Sequence, residues 1–304
     1  MAKILVTDGI AKNAAEVLKA KGHELTEKHF EPDELNEQLK EHNVVIVRSA
    51  SKIKKEAIDS AATTGNLKLI IRAGVGLDNI DVNYAEEKGI SVKNTPATSS
   101  LAVAELTIGH IIAVARNIYI SNVTMRDGKW EKKKYKGVEI NGKTLGLIGF
   151  GRIAKETAGL ASALGMKVIY NTRSGEKEGY DNFEYVSMDE LYRRSDFISL
   201  HIPFIKENGP TLDEEQFNKM KDGVFIINCA RGGVVSEFAL IDAINNGKVK
   251  AAALDVYEEE PNPKPEIINS DKISLTPHIG AVTYEAQEKI GGVILKIIDE
   301  YYRV

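Results

Sequence analysis

The sequence predicts an α/β protein made of two doubly wound parallel sheets. Short runs of β-branched residues alternate with segments of helical periodicity from the N-terminus onward, and a second alternating series begins near residue 145. Alternation of this kind is typical of βαβ units, in which parallel strands lie between two layers of helices. The length of 304 residues suits two domains of ordinary size, each with its own core.

The first series is predicted to form a domain that binds no nucleotide. Strands are predicted over residues 3–7, 44–48 and 67–72, with helices over 11–21 and 32–41 between them. The turn after the first strand, Asp8-Gly9-Ile10, is not the glycine-rich loop that holds phosphate in nucleotide domains. We therefore expect a flavodoxin-like domain without a nucleotide of its own.

The second series contains six predicted strands, enough for a complete dinucleotide-binding domain of the Rossmann type. They cover residues 145–148, 167–170, 197–201, 224–229, 251–256 and 273–276. Pro96 and Pro277 lie where the chain is expected to cross between the domains, and a last helix over 285–302 has no strand of its own to pack on. We expect that helix to return to the first domain. The predicted domains are therefore 1–97 with 282–304, and 98–281.

A glycine-rich loop follows the first strand of the second series. Gly149 permits a tight turn, Gly151 lets the backbone approach a pyrophosphate, and the small Ala154 permits close helix packing. Glycines also occur in ordinary turns, but here a predicted strand precedes the loop and a predicted helix follows it. The loop therefore predicts a bound dinucleotide.

The residues after the next strand leave the choice of dinucleotide open. An acidic residue there usually binds the ribose hydroxyls of NAD, but this sequence has Asn171, Thr172, Arg173 and Ser174. Asn171 or Thr172 could bind the ribose diol, Arg173 and Ser174 could bind the 2′-phosphate of NADP, or Arg173 could simply face solvent. We expect NAD, with NADP as the alternative, because nearby glutamates make a poor site for an additional phosphate.

An arginine, a glutamate and a histidine follow successive apolar segments of the second series: Arg231, Glu260 and His278. The planar fork of an arginine binds a carboxylate through two hydrogen bonds and can polarise the adjacent carbonyl. A histidine can take the hydroxyl proton of a 2-hydroxy acid and return it in the reverse reaction. A carboxylate on the far ring nitrogen orients the histidine and stabilises its charged form. Each residue alone could be structural, but together they predict a dehydrogenase of 2-hydroxy acids.

Composition narrows the class of protein further. The net charge of −4 gives no basic field for nucleic acid, and no apolar segment is long enough to predict a membrane span. Cys229 is the only cysteine, which excludes an internal disulfide and favours a reducing compartment, so we expect a cytoplasmic protein. The histidines other than His278 lack metal-ligand spacing, so no metal is expected.

Several longer motifs resemble those of the D-isomer-specific 2-hydroxyacid dehydrogenases. They occupy residues 72–81, 127–131, 141–146, 228–233 and 252–256, in the family's order and over essentially the whole chain. The resemblance implies a substrate domain, a nucleotide domain that binds NAD, and oxidation of a small-molecule D-2-hydroxy acid. It also implies a homodimer formed through a segment that includes the helix at 101–117.

The resemblance also implies roles for individual residues. Arg231, Glu260 and His278 are the implied catalytic residues, and the backbone of Val75 and Gly76 is implied to hold the substrate carboxylate. The implied cofactor contacts are Val75, Gly149, Gly151, Arg152, Ile153, Thr172, Arg173, Ile202, Cys229, Ala230, Asp255, Gly280 and Ala281. For Asp255, implied to lie in the nicotinamide pocket, the alternative is a structural cap of the following turn.

The substrate is less closely defined than the reaction. Arg48 follows a strand of the first domain, where open α/β sheets bind ligands, and we expect it to hold a substrate phosphate in the interdomain cleft. Lys132 is a second candidate, although a run of lysines such as 132–134 is commonly solvated. Glyoxylate or hydroxypyruvate are the alternative substrates, and a non-catalytic dinucleotide sensor is the alternative class of protein.

Three features depart from the family pattern. Ala154 replaces the commoner third glycine, Thr172 stands where NAD-preferring members carry aspartate, and Ser236 stands where aspartate is common. Only Thr172 bears on cofactor choice. Some members of the family continue into a C-terminal regulatory domain, and since this sequence ends at Val304 we expect no control through such a domain.

Overall fold

The computed structural model describes residues 1–302 of the chain. Two compact units are present: the first comprises residues 1–99 with the stretch from residue 281 onward, and the second comprises residues 100–280. Each unit contains a parallel sheet with helices between its strands. The fold class predicted from the sequence is confirmed.

The first unit has a five-stranded sheet in the order β2-β1-β3-β4-β5, the order of flavodoxin-like folds. Alternate residues of the strands are buried on opposite faces: Leu5 and Val45 lie in one hydrophobic cluster, and Ile4 and Val44 lie in another. Burial on both faces explains the continuous apolar runs of the central strands. The strands are β1 (Lys3–Val6), β2 (Glu24–Glu27), β3 (Val44–Val47), β4 (Leu69–Arg72) and β5 (Ser91–Asn94); the helices are α1 (Lys12–Ala20), α2 (Pro32–Leu39), α3 (Lys55–Ala62) and α4 (Val82–Glu87).

The second unit has a seven-stranded parallel sheet in the order β12-β11-β10-β9-β6-β7-β8. The strands are β6 (Thr144–Ile148), β7 (Lys167–Asn171), β8 (Glu184–Tyr185), β9 (Phe197–Leu200), β10 (Val224–Asn228), β11 (Val249–Leu254) and β12 (Ile273–Leu275). The helices are α5 (Ser100–Arg116), α6 (Ile118–Arg126), α7 (Arg152–Ala163), α8 (Met188–Arg194), α9 (Glu214–Lys219), α10 (Glu237–Asn245) and α11 (Pro265–Ile268). Two hydrophobic clusters, one containing Leu147 and Phe225 and the other Ile148 and Ile226, cover the two faces of this sheet.

The number of strands predicted from the sequence was too low in both units. The strands that were missed, β2, β5 and β8, all lie at sheet edges. An edge strand pairs on one side only and tolerates polar residues, so it needs no continuous apolar run. Accordingly, β2 has the sequence Glu-Leu-Thr-Glu, and β8 has only two residues, both exposed.

The last helix, α12 (Tyr284–Tyr302), packs on the first unit. Its residues Ile290, Ile294 and Ile298 are buried in the hydrophobic cluster that also contains Ile4 and Leu18. At Gly291 an added Cβ would lie 2.9 Å from the Cβ of Ala14, so the absence of a side chain allows α12 to approach α1 closely.

The long helix α5 is apolar because it lies inside the second unit. Val103, Ile111 and Val114 are buried, and α5 packs along α7. Asn117, with φ of 55°, separates α5 from α6. No single helix among residues 1–302 is long and apolar enough to cross a membrane. Only α5 and α6 taken together have the necessary length and apolar composition, and the pair is bent by 67°.

Candidate active site

Three residues that the sequence singled out follow neighbouring strands of the second sheet. Arg231 lies after β10, Glu260 after β11 and His278 after β12, and the three strands are adjacent. Since the strands are parallel, their carboxyl ends meet at one edge of the sheet. The topology therefore brings these three loops together.

The loop of Arg231 is fixed by the residue at the end of β10. Asn228 is 2% exposed, its Nδ2 donates to the carbonyl of Arg231 over 2.8 Å, and its Oδ1 accepts from the backbone N–H of Ala230 over 3.0 Å. One Nη of Arg231 donates to the carbonyl of Ala230 over 2.6 Å. The guanidinium thus stands on a tight turn whose backbone is held from within the sheet.

His278 and Glu260 form a hydrogen-bonded pair. His278 Nδ1 lies 2.8 Å from Glu260 Oε2, and Glu260 Oε1 accepts from the backbone N–H of Tyr257 over 3.1 Å. Both side chains are about one-third exposed, at 31% and 34%. Because the carboxylate engages Nδ1, proton exchange with a substrate would occur through Nε2.

The surroundings keep Glu260 ionised. Burial opposes the charge, but the hydrogen bond and charge of His278, the N–H of Tyr257 and the charge of Arg231 outweigh it and lower the pKa of Glu260. An ionised carboxylate on Nδ1 favours the protonated form of the ring. The pair can therefore accept a proton and stabilise the charge that results.

Asp255 supports the turn that carries His278. It is 1% exposed, and its carboxylate accepts from Thr276 Oγ1 over 2.6 Å and from the backbone N–H groups of Ile279 and Gly280 over 2.8 and 2.9 Å. The sequence suggested either a nicotinamide pocket or a cap of the turn after its own strand. The bonds formed here are with the turn after β12, which no local pattern indicated.

A buried histidine continues this network. His110 Nε2 lies 2.9 Å from Thr276 Oγ1, and Ser274 Oγ lies 3.3 Å from His110 Nδ1. Because the threonine hydroxyl donates to Asp255, it accepts from His110, which fixes the proton on Nε2. Burial lowers the pKa of His110, partly offset by the charge of Asp255, so the ring is neutral.

The glycine loop fits a dinucleotide. Gly149 has φ of 91°, and a Cβ there would lie 2.5 Å from the carbonyl oxygen of His201 and 2.7 Å from Ile202 Cγ2. At Gly151, the N-cap of α7, a Cβ would meet nothing within 4 Å, so the N-terminus of the helix is open to a pyrophosphate. Ala154 is fully buried where the helix packs on the sheet.

The remaining predicted cofactor residues of this unit lie in different surroundings. Thr172 begins a turn after β7, Arg152 and Arg173 are exposed, and Ile153 and Ile202 are half-buried. Burial raises the pKa of the Cys229 thiol to about 12, and the side chain packs in the core, so any cofactor contact at Cys229 would come from its backbone.

In the first unit, the loop after β4 presents the backbone of Val75 and Gly76. Gly74 has φ of 156°, and a Cβ at Gly74 would overlap the guanidinium of Arg72. Asn94 Nδ2 donates to the carbonyl of Val75 over 2.7 Å. Arg72 and Asn94 therefore fix a loop whose tip, at Val75, is 38% exposed.

The loop of Arg48 is held from two sides. Asp8 Oδ2 accepts from the backbone N–H groups of Arg48 and Ser51 over 2.7 and 3.1 Å. Asn79 Nδ2 donates to the carbonyls of the same two residues over 2.7 and 2.6 Å. Burial lowers the pKa of Arg48, and the attraction of Asp8 offsets this only in part.

The last predicted positions are less informative. Lys132 is exposed on the segment after α6, and its neighbour Lys134 lies 3.9 Å from Glu131 Oε2. Gly280 is buried beside Asp255, and the carbonyl of Ala281 accepts a hydrogen bond from Gln287 Nε2 over 2.8 Å.

The sequence did not predict a supporting role for Asn228, Asp8 or Asn79. For Asn228 and Asp8 a signal was present, since each stands at or just after the end of an apolar strand. A polar residue there commonly bonds the backbone of the following turn. The partners of Asn79 lie on a distant loop and could not be inferred from local sequence.

Together these features define the class of protein. A parallel sheet carries an open helix N-terminus after a glycine loop, and an arginine and a glutamate–histidine pair follow strands of the same sheet. These are the parts of a dinucleotide-dependent dehydrogenase.

Comparison with known proteins identifies the family. The model of the D-isomer specific 2-hydroxyacid dehydrogenase NAD-binding domain matches residues 108–280. Hydroxypyruvate reductase of Thermotoga maritima is 46% identical, over 99% of this chain and 97% of its own length. D-3-phosphoglycerate dehydrogenase of Methanocaldococcus jannaschii is 42% identical over 100% of this chain, which spans only 58% of that enzyme.

Solved structures that resemble this chain indicate the same family. A glyoxylate reductase from Paecilomyes thermophila is 34% identical with a TM-score of 0.86, over 97% of this chain and 93% of its own. D-Lactate dehydrogenase from Aquifex aeolicus, complexed with NAD and lactic acid, is 30% identical with a TM-score of 0.86, over 99% and 96%. The chain belongs to the D-isomer specific 2-hydroxyacid dehydrogenase family, as an NAD-dependent enzyme.

Proposed function

We propose that this protein is a D-3-phosphoglycerate dehydrogenase, which oxidises D-3-phosphoglycerate to 3-phosphohydroxypyruvate with NAD at the entry to serine biosynthesis. The observation that carries the reaction type is the 2.8 Å contact of His278 Nδ1 with Glu260 Oε2, on a loop adjacent to that of Arg231. Support for the substrate comes from the setting of Arg48 and from the resemblance to the M. jannaschii enzyme.

His278 is the proposed acid-base residue. As the C–H bond at carbon 2 breaks, the hydroxyl proton moves to Nε2, since Nδ1 is engaged by Glu260. The ionised Glu260 stabilises the imidazolium that forms. NAD, when bound, supplies the hydride acceptor, and we assign its pyrophosphate to the backbone at Gly149 and Gly151.

Arg231 is the proposed ligand of the substrate carboxylate. Its guanidinium offers a planar set of donors that matches a carboxylate and can reach the neighbouring oxygen at carbon 2. Asn228 fixes the turn around Arg231, so less conformational entropy is lost when the substrate binds. The backbone of Val75 and Gly76 is the proposed second contact of the same carboxylate.

Arg48 is the proposed ligand of the substrate phosphate. The net lowering of its pKa means that burial penalises the charge more than Asp8 compensates it. A phosphate dianion bound next to Arg48 would stabilise the charge of its guanidinium. The backbone of Arg48 is already fixed by Asp8 and Asn79. Lys132 is a second candidate and is exposed.

The second candidate function is reduction of hydroxypyruvate or glyoxylate. It is favoured by the T. maritima hydroxypyruvate reductase, which this chain matches over 97% of its length at 46% identity. Hydroxypyruvate differs from phosphohydroxypyruvate only by the phosphate group. The two proposals therefore differ in what Arg48 does and not in the chemistry of His278, Glu260 and Arg231.

A steady-state assay separates the candidates. The purified protein is given phosphohydroxypyruvate, hydroxypyruvate and glyoxylate, each with NADH and with NADPH. We expect the highest kcat/KM with phosphohydroxypyruvate and NADH. A higher value with hydroxypyruvate or glyoxylate would replace the first proposal by the second, and no turnover of any of them would refute both.

Replacing Arg48 tests the phosphate site directly. We expect Arg48→Ala to raise the KM for phosphohydroxypyruvate roughly ten- to a hundredfold, the value of one charge-assisted contact, while the KM for hydroxypyruvate changes little. Lys52→Ala removes an exposed cation from the same segment and is the matched control. Equal effects on both substrates would show that Arg48 does not bind the phosphate.

The protein is further proposed to be a cytoplasmic homodimer. Support comes from exposed apolar side chains on or beside α5 and α6, at Leu101, Ile118, Val123, Met125 and Trp130. Surfaces of this kind commonly mark subunit contacts. The single buried Cys229 suits a reducing compartment.

A further inference from the structure

Two glutamates and a lysine join the loop of Arg231 to the loop of Glu260. The backbone N–H of Glu237 donates to Glu258 Oε1 over 2.9 Å, and the backbone N–H of Glu258 donates to Glu237 Oε1 over 2.8 Å. Lys264 Nζ contacts Glu258 Oε2 and lies 3.5 Å from Glu237 Oε2. We call Glu237, Glu258 and Lys264 the carboxylate clasp.

The clasp lies beside the two loops that carry the reacting groups. Glu237 is the first residue of α10, at the end of the loop that carries Arg231, and Glu258 stands two positions before Glu260. The loops also touch directly, because a Cβ added at Gly232 would overlap the carbonyl of Tyr257. The N–H of Tyr257 in turn holds Glu260 Oε1.

Burying the carboxylate of Glu237 close to a second carboxylate costs free energy of folding. Glu237 is 4% exposed, and burial with the nearby charge of Glu258 raises its pKa in spite of the backbone bond and Lys264. Buried ionised groups are generally no more stabilising than apolar residues of similar volume. Stability alone is therefore a weak reason for two facing carboxylates at this position.

We propose that the carboxylate clasp is a positioning element that sets Arg231 relative to the Glu260–His278 pair. Reciprocal side chain to backbone bonds fix both loops at once, which two independent caps would not do. In this role the clasp acts through the two loops and not by contact with substrate or cofactor. This inference rests on the proposed roles of Arg231, Glu260 and His278.

The test compares Glu258→Ala with Glu259→Ala. Glu259 is exposed on the same loop and makes no hydrogen bond or ion pair with the residues that the structure describes, so its removal controls for the lost charge. In Glu258→Ala we expect kcat/KM for the best 2-oxo acid to fall on the order of ten- to a hundredfold, as for a small misplacement of reacting groups. The dissociation constant of NADH should stay within about twofold.

A readout that does not need turnover accompanies the assay. The imidazole of His278 is titrated by NMR in both variants and in the wild type. We expect its midpoint to move to lower pH in Glu258→Ala, because a displaced Glu260 stabilises the imidazolium less, and to move less in Glu259→Ala. Lys264→Met, which keeps both glutamates, should give a smaller shift in the same direction.

The outcomes separate the inference from the proposed function. Identical His278 titrations and identical kcat/KM in the two alanine variants would overturn the positioning role. A lower melting temperature in Glu258→Ala with unchanged kcat and KM would also overturn it, as a purely structural role. Wild-type inactivity with every 2-oxo acid would instead refute the proposed function, while a shifted midpoint confined to Glu258→Ala would still support the clasp.

Discussion

His278 stands in a backbone conformation that side chains rarely adopt, with φ of 54°. A left-handed conformation at such a residue costs roughly 1–2 kcal/mol. The turn persists because Asp255 accepts the N–H groups of Ile279 and Gly280, directly after the histidine. Strain that the surroundings maintain is typical of functional sites, and here it directs the ring at Glu260.

Replacing His278 tests its proposed role as the acid-base residue. Gln keeps much of the shape and a hydrogen-bonding group but cannot exchange a proton at neutral pH. We expect His278→Gln to lower kcat by roughly 10²- to 10⁴-fold while the dissociation constant of NADH, followed by fluorescence, stays nearly unchanged. Wild-type turnover in this variant would contradict the assignment.

Glu260 should contribute stability that depends on pH. Its pKa in the folded chain lies below the usual 4.5, so the contribution is present above that value and is lost as pH falls through the folded pKa. Melting temperatures of the wild type and Glu260→Gln are compared from pH 7 to about pH 3. The difference between them should shrink below about pH 4.5, with Glu259→Gln measured alongside as the control variant.

At the residue scale, the sequence indicated the residues with proposed catalytic roles more readily than the residues that support them. Arg231, Glu260 and His278 were identifiable because their side-chain chemistry matches a reaction. Asp255 was noticed, but its bonds to Thr276 and Gly280 depend on the pairing of β11 with β12. No local pattern carries that information.

At the scale of elements, the junction of β6 and α7 depends on one glycine. Gly149 has φ of 91°, and a Cβ there would lie 2.5 Å from the His201 carbonyl, which belongs to the segment after β9. The strands β6 and β9 are neighbours, so the backbone cannot easily withdraw. A side chain at this position should displace the loop that is proposed to hold the pyrophosphate.

Two alanine substitutions test this junction. We expect Gly149→Ala to raise the KM for NADH by on the order of a hundredfold and to lower the melting temperature. Gly159→Ala, within α7 with nothing within 4 Å of the added Cβ, should instead stabilise the protein by about 0.5–1 kcal/mol. Similar behaviour of the two variants would refute a special requirement at Gly149.

The elements themselves were predictable in proportion to their burial. Central strands such as Val44–Val47 and Val224–Asn228 are buried along their whole length and stand out as apolar runs. The edge strands β2, β5 and β8 carry polar residues and were missed. Their pairing is decided by the neighbouring strand, which a local pattern does not contain.

At the scale of the whole molecule, the strand order creates the candidate site. Placing β10, β11 and β12 side by side assembles the loops of Arg231, Glu260 and His278 from separate parts of the sequence. The doubly wound class was predictable from the alternation of strands and helices, and it implies that strand ends share one edge. The contacts between those loops, such as the carboxylate clasp, required the structure.

The oligomeric state is the remaining property of the whole molecule. Ile118, Val123 and Met125 on α6 are each at least half exposed, an unusual share of apolar surface for one helix of nine residues.

If α6 contributes to the proposed dimer, size-exclusion chromatography with light scattering should give twice the chain mass of 33.4 kDa. We expect Val123→Asp to shift the protein toward the monomer, because a buried unpaired carboxylate opposes association. Phe238→Asp, which removes a 77% exposed apolar side chain on α10, should leave the dimer intact. A monomeric wild type, or equal loss of dimer in both variants, would contradict the assignment of the interface to α6.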